Sequence, residues 1–146
     1  MKSFKNSLVR KGCYTLVVTL GKRRCLHIGS LGKACFAPGI YFYTGSAMNG
    51  LIGRLSHHLS KKTKKIHWHI DYLLRCPEAH IKTVLIYPSR TRQECRLNQR
   101  IAALPGAKVI LKGFGASDCA FGCVSHLTYF GRKISYQRIG QKVASL

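Results

Sequence analysis

The sequence predicts a single α+β domain in which helices flank a small central antiparallel β-sheet. Short runs rich in β-branched and aromatic residues, bounded by glycine or proline, indicate strands, and longer runs with leucines at helical spacing indicate helices. Hydrophobic residues make up 46% of the 146 positions, and a chain of that length buries enough apolar surface to fold without disulfides. We therefore expect one domain over residues 1–146, with a flexible basic segment at 1–11.

The first half of the chain contains three predicted strands. Residues 13–20 are rich in Val, Leu and Thr, and a Gly-Lys turn separates them from 23–28, so these two segments are expected to form an antiparallel hairpin. Residues 29–39 carry three glycines and a proline and are predicted to be a loop. The aromatic run 40–44 is predicted to be a strand that ends at Gly45.

An amphipathic helix is predicted over residues 49–60, with Ser46 or Asn49 as its N-terminal cap. Its apolar face repeats every four residues and contains Leu51, Leu55 and Leu59. Arg54 and His58 are also four residues apart, so they share a face of the helix and can reach one ligand together.

The second half of the chain continues the alternation of strands and helices. Residues 67–74 fit either a helix or a strand, and 81–87 predict a strand that a proline stops. Residues 91–104 repeat a helical pattern. Short strands are predicted at 109–111 and 127–130.

The charge of the chain points to a polyanionic partner. Lys and Arg number 25 against 4 Asp and Glu, which gives a formal net charge of +21. Such an excess exceeds what solubility requires and favours nucleic acid as the ligand. The only candidate carboxylate ligands for a metal are Asp71, Glu78, Glu94 and Asp118.

The cysteines and the apolar runs indicate a cytoplasmic protein. Seven cysteines are an odd number with scattered spacing, so thiols in a reducing cytoplasm are favoured over a disulfide framework. No run approaches the roughly 18 apolar residues of a membrane span, so no membrane partner is expected.

Five separate positions carry a resemblance to a known family. Gly12-Cys13-Tyr14 opens the first strand, Tyr43-Thr44-Gly45 lies on a later strand, Arg54 follows eleven residues after the second tyrosine, and His58 follows four residues later. Together with Glu94 on a later helix, this set resembles the GIY-YIG nuclease superfamily, most closely its Uri-type stand-alone branch. The resemblance covers most of the chain and implies a GIY-YIG-like fold.

The literal triplet Gly39-Ile40-Tyr41 is not the first motif of that family. It lies two residues before Tyr43, on the same predicted strand, whereas the family places its two motifs on two neighbouring strands. The first motif is therefore assigned to Gly12-Cys13-Tyr14, which implies an insertion between the motifs that resembles the Uri-type branch.

The resemblance implies a metal-dependent endonuclease that acts on DNA in preference to RNA. Tyr14 would act as general base or water positioner, Tyr43 would orient it, and Arg54 would stabilise the pentacovalent phosphate. Glu94 would hold Mg²⁺ or Mn²⁺. Since tyrosine ordinarily titrates near about pH 10, Tyr14 would need nearby positive charge to lower its pKa. His58 is either catalytic or a helix-end histidine that balances the macrodipole.

Glu94 and Arg54 each have a structural alternative. Thr91 and Glu94 have the spacing of a capping box at a helix start. Against this, Glu94 lies on the same helical face as Leu97 and Ile101, where an unpaired carboxylate is costly, and the metal role is favoured. Arg54 alone would be an ordinary solvent-facing helix residue.

A lysine run would bind phosphates without reading sequence, and it consists of Lys61, Lys62, Lys64 and Lys65. The alternative is a solvated loop. The following segment contains Trp68, Asp71 and Tyr72, which could form a stacking platform or a polar cluster, but a buried tryptophan and a salt-bridged aspartate are the favoured interpretation.

A zinc site is disfavoured by the sequence. Cys119, Cys123 and His126 form C-x3-C-x2-H, to which Asp118 or another cysteine could add a fourth ligand. The spacing matches no standard zinc module, and free buried cysteines are the favoured interpretation.

The function predicted from the sequence is therefore a magnesium-dependent endonuclease. The first alternative is a catalytically silent module that binds RNA or DNA with the same basic fold. A structural zinc-containing interaction protein is a third. Nothing in the sequence predicts an oligomeric surface.

Overall fold

A five-stranded antiparallel sheet forms the centre of the molecule. The computed structural model of the chain describes residues 11–60, 65–116, 119, 121–132, 137, 138 and 141. In chain order the strands are β1 (Gly12–Leu20), β2 (Arg24–His27), β3 (Lys33–Phe36), β4 (Gly39–Ala47), β5 (Ala79–Pro88), β6 (Lys108–Val109) and β7 (Leu127–Tyr129). The large sheet has the order β5-β1-β4-β7-β6, and β2 and β3 form a separate two-stranded sheet.

The described residues also form three α-helices. They are α1 (Leu51–Leu59), α2 (His69–Leu74) and α3 (Glu94–Ala102). The predicted α+β fold class is confirmed, since helices flank a central antiparallel sheet in one small domain. None of these helices has the length and apolarity that crossing a bilayer requires.

Strand β1 is buried on both faces because its apolar side chains alternate between two cores. Tyr14 and Leu16 point to the larger core, which contains residues of α1 and α2 such as Leu51 and Ile70. The intervening side chains, such as Val17, point to a smaller core that packs against α3. The helices therefore lie on opposite faces of the sheet.

The predicted hairpin between residues 13–20 and 23–28 is wrong. Strand β1 pairs along its whole length with β4 on one side and β5 on the other, while β2 pairs with β3 inside the segment predicted to be a loop. The reason lies in burial. A strand apolar on both faces needs two long partners, whereas four-residue β2 is half-buried and pairs with its nearest neighbour.

Cys25 and Cys35 lie opposite each other across the β2 and β3 pair and form a disulfide. The sequence predicted thiols instead, because the spacing of the seven cysteines gives no framework. The cytoplasmic location inferred from those cysteines stays a prediction.

The later elements follow the sequence more closely. The segment 67–74 left open between helix and strand contains the helix α2. The strand predicted at 81–87 is confirmed within β5, and the one predicted at 127–130 corresponds to β7. The strand predicted at 109–111 overlaps β6 only at Val109.

The inward face of α1 differs from the predicted leucine stripe. Leu59 is 53% exposed, while His58 beside it is only 2% exposed. The helix begins after Gly50 with no side-chain cap, so neither Ser46 nor Asn49 caps it. The inward face of α1 therefore includes His58, which lies toward the sheet, and not Leu59.

The two tyrosine motifs lie on neighbouring strands, as expected. Gly45 is the β4 partner of Tyr14 on β1, and Gly39 to Tyr41 lie on the same strand as Tyr43. Strand β4 continues past Gly45 to Ala47, so the glycine does not end it. Its role is steric, because a Cβ there would lie 2.6 Å from the Tyr14 hydroxyl oxygen.

Gly45→Ala should therefore destabilise the protein by about 1–3 kcal/mol through overpacking against the Tyr14 ring. Urea unfolding measures this loss. Gly53→Ala is the matched control, because a Cβ at Gly53 meets no atom within 4 Å and the site lies inside α1. That control should raise stability by up to about 1 kcal/mol. Equal effects of the two substitutions would contradict the packing of Tyr14 on Gly45.

Candidate functional site

Four of the predicted catalytic residues meet where β1, β4 and α1 pack together. The hydroxyl of Tyr14 lies 2.8 Å from Nε2 of His58 and 3.5 Å from Nη1 of Arg54. The ring of Tyr43 lies beside the rings of Tyr14 and His58, at centroid distances of 6.4 and 6.3 Å. Arg54 and His58 thus reach one group together, as their helical spacing predicts, and that group is Tyr14.

Asp71 stands behind this cluster and was not predicted as a site residue. Its carboxylate is fully buried and accepts hydrogen bonds from the backbone N–H groups of His67 and Trp68 at 2.9 and 3.0 Å. His57 Nε2 lies 3.1 Å from one carboxylate oxygen, and His58 Nδ1 lies 3.4 Å from the other. Asp71, His58 and Tyr14 therefore form a continuous polar chain.

The charges of this chain follow from burial and hydrogen bonding. Burial opposes the charge of Asp71, but its hydrogen bonds from His58 and from the backbone of His67 and Trp68 hold its pKa well below the usual range. Burial lowers the pKa of His58, and Asp71 only partly opposes this. The imidazole is therefore neutral at physiological pH, with Nδ1–H toward Asp71 and the Nε2 lone pair toward the Tyr14 hydroxyl.

The expected depression of the Tyr14 pKa is not found. Burial raises it to about 12, and the hydrogen bond from Arg54 lowers it only in part. The tyrosine is fully buried, because its ring lies over Gly45 and under α1. Positive charge on the rest of the chain does not compensate for the loss of water around one hydroxyl.

Arg54 is held in place by three neighbours. Its guanidinium carbon lies 3.9 Å from the centroid of the Trp68 ring, and Nη1 donates to the carbonyl of Ser46 at 3.1 Å as well as contacting Tyr14. Trp68 is therefore a platform for Arg54, a role that the sequence interpretation of a merely structural tryptophan missed.

A cavity of about 800 Å³ opens beside these residues. Its wall includes Tyr43 and Arg54 from one side of the molecule and Glu94 from the start of α3. Arginine supplies further positive charge at Arg92 and Arg96, and Glu94 is the only carboxylate among the lining residues. The cavity therefore suits an anionic ligand with room for a cation at one wall.

Glu94 does not form the capping box that was its structural alternative. Helix α3 begins at Glu94 after Gln93, with no side-chain cap, and the backbone N–H of Thr91 donates to the Ser89 hydroxyl. Oε2 of Glu94 is buried with no hydrogen-bond partner among the described residues, and Oε1 lies 3.7 Å from Arg92. The structural alternative for this carboxylate is thereby removed.

Neither of the other two described carboxylates lines the cavity. Glu78 is paired with Arg24 away from the site, and Asp71 is enclosed by its own partners. Asp118 lies outside the described residues. Within the described part of the chain, Glu94 is the one carboxylate placed to meet a cavity ligand.

The lysine run is only partly described. Lys61, Lys62 and Lys64 lie outside the described residues, and Lys65 is exposed. Its proposed contacts with phosphates stay a prediction.

A second cluster lies in the wall of the same cavity. The ligand atoms of Cys95, Cys119, Cys123 and His126 all lie within 4.8 Å of one another. Cys95 follows Glu94 directly on α3 and was absent from the predicted set of three.

Comparison with known families assigns the chain to one of them. The profile of a family described as "domain of unknown function DUF123" matches residues 13–145. The chain belongs to the DUF123 family. No curated protein and no solved structure matches the chain significantly. The DUF123 match spans Tyr14, Tyr43, α1, Glu94 and the cysteine cluster, so these residues of the candidate site lie within the family domain.

Asp71→Asn should destabilise this DUF123 domain by about 3 kcal/mol at neutral pH, because it removes the charged acceptor of a buried network. The folded pKa of Asp71 lies below its unfolded value of about 3.9. The stabilisation is therefore complete above about pH 4 and is lost as pH falls through the folded pKa. Urea unfolding at a series of pH values should show the difference from wild type shrinking below about pH 4.

Glu78→Gln is the control for this series. Glu78 also carries a lowered pKa, from its hydrogen bond with Arg24, but the pair is exposed to solvent and should contribute much less. A smaller loss for Asp71→Asn than for Glu78→Gln would show that the buried network does not hold the fold.

Proposed function

We propose that the chain is a metal-dependent endonuclease that hydrolyses phosphodiester bonds of nucleic acid, with DNA favoured over RNA. The observation that carries the proposal is the unpartnered, buried oxygen of Glu94 in the wall of the cavity that Arg54 and Tyr43 also line. The resemblance to the GIY-YIG superfamily and the net charge of +21 support the same conclusion.

Glu94 is the residue that would hold Mg²⁺ or Mn²⁺. An oxygen buried without a proton donor is costly unless a cation meets it, and Mg²⁺ commonly uses one or two carboxylates together with waters and substrate phosphates. When bound, such an ion neutralises charge on the phosphoryl and leaving oxygens. The donor set therefore fits a magnesium-type ion.

Arg54 would bind the scissile phosphate. Both of its contacts with Tyr14 and Ser46 engage Nη1, and no described residue is hydrogen-bonded to Nη2 or Nε. A guanidinium presents its donors in a planar fork that matches two phosphate oxygens. Stacking on Trp68 fixes the plane of that fork, so little side-chain entropy is lost when phosphate binds.

Tyr14, His58 and Asp71 would move the proton released by the attacking water. The Tyr14 hydroxyl donates its proton to Nε2 of His58 along the 2.8 Å hydrogen bond, and its oxygen takes a proton from water in exchange. The hydroxide adds to phosphorus as the bond to the leaving oxygen breaks. Asp71 stabilises the imidazolium that forms, in the manner of a triad aspartate.

This relay requires water to reach a buried hydroxyl. The contact of Arg54 Nη1 with the Tyr14 oxygen is long, at 3.5 Å. We propose that water replaces this contact when phosphate binds to Arg54, while the stacking on Trp68 and the bond to Ser46 hold the side chain.

The full burial of Tyr14 favours one second candidate. A chain whose tyrosine never meets water would bind nucleic acid through Arg54 and the basic surface without cleaving it. Binding alone does not separate the two functions, since the salt dependence of binding reports only the number of phosphate contacts. Measuring cleavage of the nucleic acid separates the two functions.

Glu94→Gln should lower cleavage by about 100-fold or more, because a bound divalent ion supplies several kcal/mol of charge stabilisation. Purified protein is incubated with labelled single-stranded, duplex and branched DNA and with RNA, in Mg²⁺ or in EDTA. Binding, measured by fluorescence anisotropy in EDTA, should stay within about twofold of wild type, since the substitution removes no phosphate contact.

Glu78→Gln is the matched control and should cut like wild type, because Glu78 pairs with Arg24 outside the cavity. Absence of metal-dependent cleavage of every substrate by the wild-type protein would overturn the enzyme and leave the binding module. Normal cleavage by Glu94→Gln would overturn the metal assignment alone.

The cleavage rate should depend on pH through His58, since only the neutral imidazole accepts the Tyr14 proton. Burial lowers the pKa of His58 from its usual value of about 6.5. The rate should therefore be flat above about pH 6.5 and fall as pH drops below the folded pKa. In His58→Gln the overall rate should drop and this acid limb should disappear. An acid limb centred above neutral pH in the wild type would exclude His58 as the acceptor.

A further inference from the structure

We propose that Cys95, Cys119, Cys123 and His126 bind one structural zinc ion. All four ligand atoms lie within 4.8 Å of one another. Three thiolates and one imidazole are a common ligand set of structural zinc sites. The sequence disfavoured this site because it showed only the last three of these residues, in an unfamiliar spacing.

The distances inside the cluster are close to those of a tetrahedral site. With Zn–S near 2.3 Å and Zn–N near 2.0–2.1 Å, neighbouring ligand atoms should be about 3.6–3.8 Å apart. The Cys95 sulfur lies 3.2 Å from that of Cys119 and 3.8 Å from Nε2 of His126. Small side-chain rotations suffice to centre the four atoms on an ion.

His126 is already set in the tautomer that a metal requires. Its Nδ1 lies 3.2 Å from the carbonyl oxygen of Thr44, which can only accept, so Nδ1 carries the proton. Nε2 then presents a lone pair on the side of Cys95. Metal-binding histidines are typically oriented by this kind of bond from the other ring nitrogen.

Cys123 has a similar supporting contact. The side-chain amide of Gln99 lies 3.7 Å from its sulfur. A donor at this position stabilises a thiolate ligand, as hydrogen bonds to ligating groups commonly do.

The segment that carries three of the ligands has little apolar attachment of its own. Phe121 is 73% exposed and Val124 is 53% exposed, so these large side chains do not anchor the segment to either core. A structural metal supplies the attachment that apolar burial lacks here.

The zinc would join three parts of the cavity wall. Cys95 lies in the first turn of α3 beside Glu94, and Cys119 and Cys123 lie between β6 and β7. His126 precedes β7 and is hydrogen-bonded to the carbonyl of Thr44 on β4. The ion would therefore fix the start of α3 against the sheet. This inference rests on the cluster alone and does not depend on nuclease activity.

The test is the metal content of the full chain, produced without a metal-binding tag and measured by mass spectrometry of its elements. We expect about one equivalent of zinc per chain. Cys95→Ser should weaken zinc binding by about 100-fold or more. Cys76→Ser is the matched control and should keep the full equivalent, because Cys76 is a buried cysteine outside the cluster.

A second measurement covers the case in which Cys95→Ser does not fold. Wild-type protein from which a chelator has removed the metal should have a lower thermal stability. Adding Co²⁺ should restore that stability and produce the near-ultraviolet absorption of a thiolate-bound, tetrahedral cobalt. Zinc-free wild-type protein, a Cys95 to Cys119 disulfide, iron in place of zinc, or full zinc retention by folded Cys95→Ser would each overturn the assignment. None of these readouts involves cleavage, so failure of the endonuclease proposal would leave the zinc result unchanged.

Discussion

The site depends on the contacts of the buried Asp71 carboxylate. It accepts two backbone hydrogen bonds at the start of α2 and meets His57 and His58 at the end of α1. One side chain therefore ties two helices together and also orients an imidazole. A buried charge is tolerated only when it is paired and hydrogen-bonded. His57 and the two backbone donors reach one oxygen of Asp71, and the other oxygen meets His58 at 3.4 Å, so the position of α1 over β1 is constrained. The contact between His58 and Tyr14 follows from that constraint.

The carboxylates of Asp71 and Glu94 have different surroundings. Asp71 is enclosed by donors and acts on the site only through His58. Glu94 lies across the cavity, and one of its oxygens has no hydrogen-bond partner in the described part of the chain, which suits a metal ligand. Between them lies Arg54, fixed by Trp68 and Ser46. A phosphate in the cavity would thus meet an immobilised cation on one side and a carboxylate-bound ion on the other. The proton of the attacking water would pass to the buried residues below the cavity.

Local patterns in the sequence predicted most elements but not how they pair. The helical repeat around Arg54 and the β-type run at Tyr43 were sufficient to locate α1 and β4, and motif spacing then located Tyr14 and His58. The hairpin prediction at 13–20 and 23–28 failed because pairing depends on burial of both faces of β1, which residue spacing does not show. Asp71 and Cys95 were missed for a related reason. Their side-chain partners lie 13 or more residues away and meet them only through the packing of α1 against α2 or through the packing of α3.

The central claim is that Asp71 fixes the tautomer of His58 so that Nε2 accepts the proton of Tyr14. The most direct test is the ¹⁵N chemical shifts of the His58 ring at neutral pH, with ring nitrogens assigned by two-bond couplings to the carbon-bound protons. The account predicts a neutral ring with Nδ1 protonated and Nε2 unprotonated, and loss of this single tautomer in Asp71→Asn. A ring protonated at Nε2, or an imidazolium at neutral pH, would contradict it.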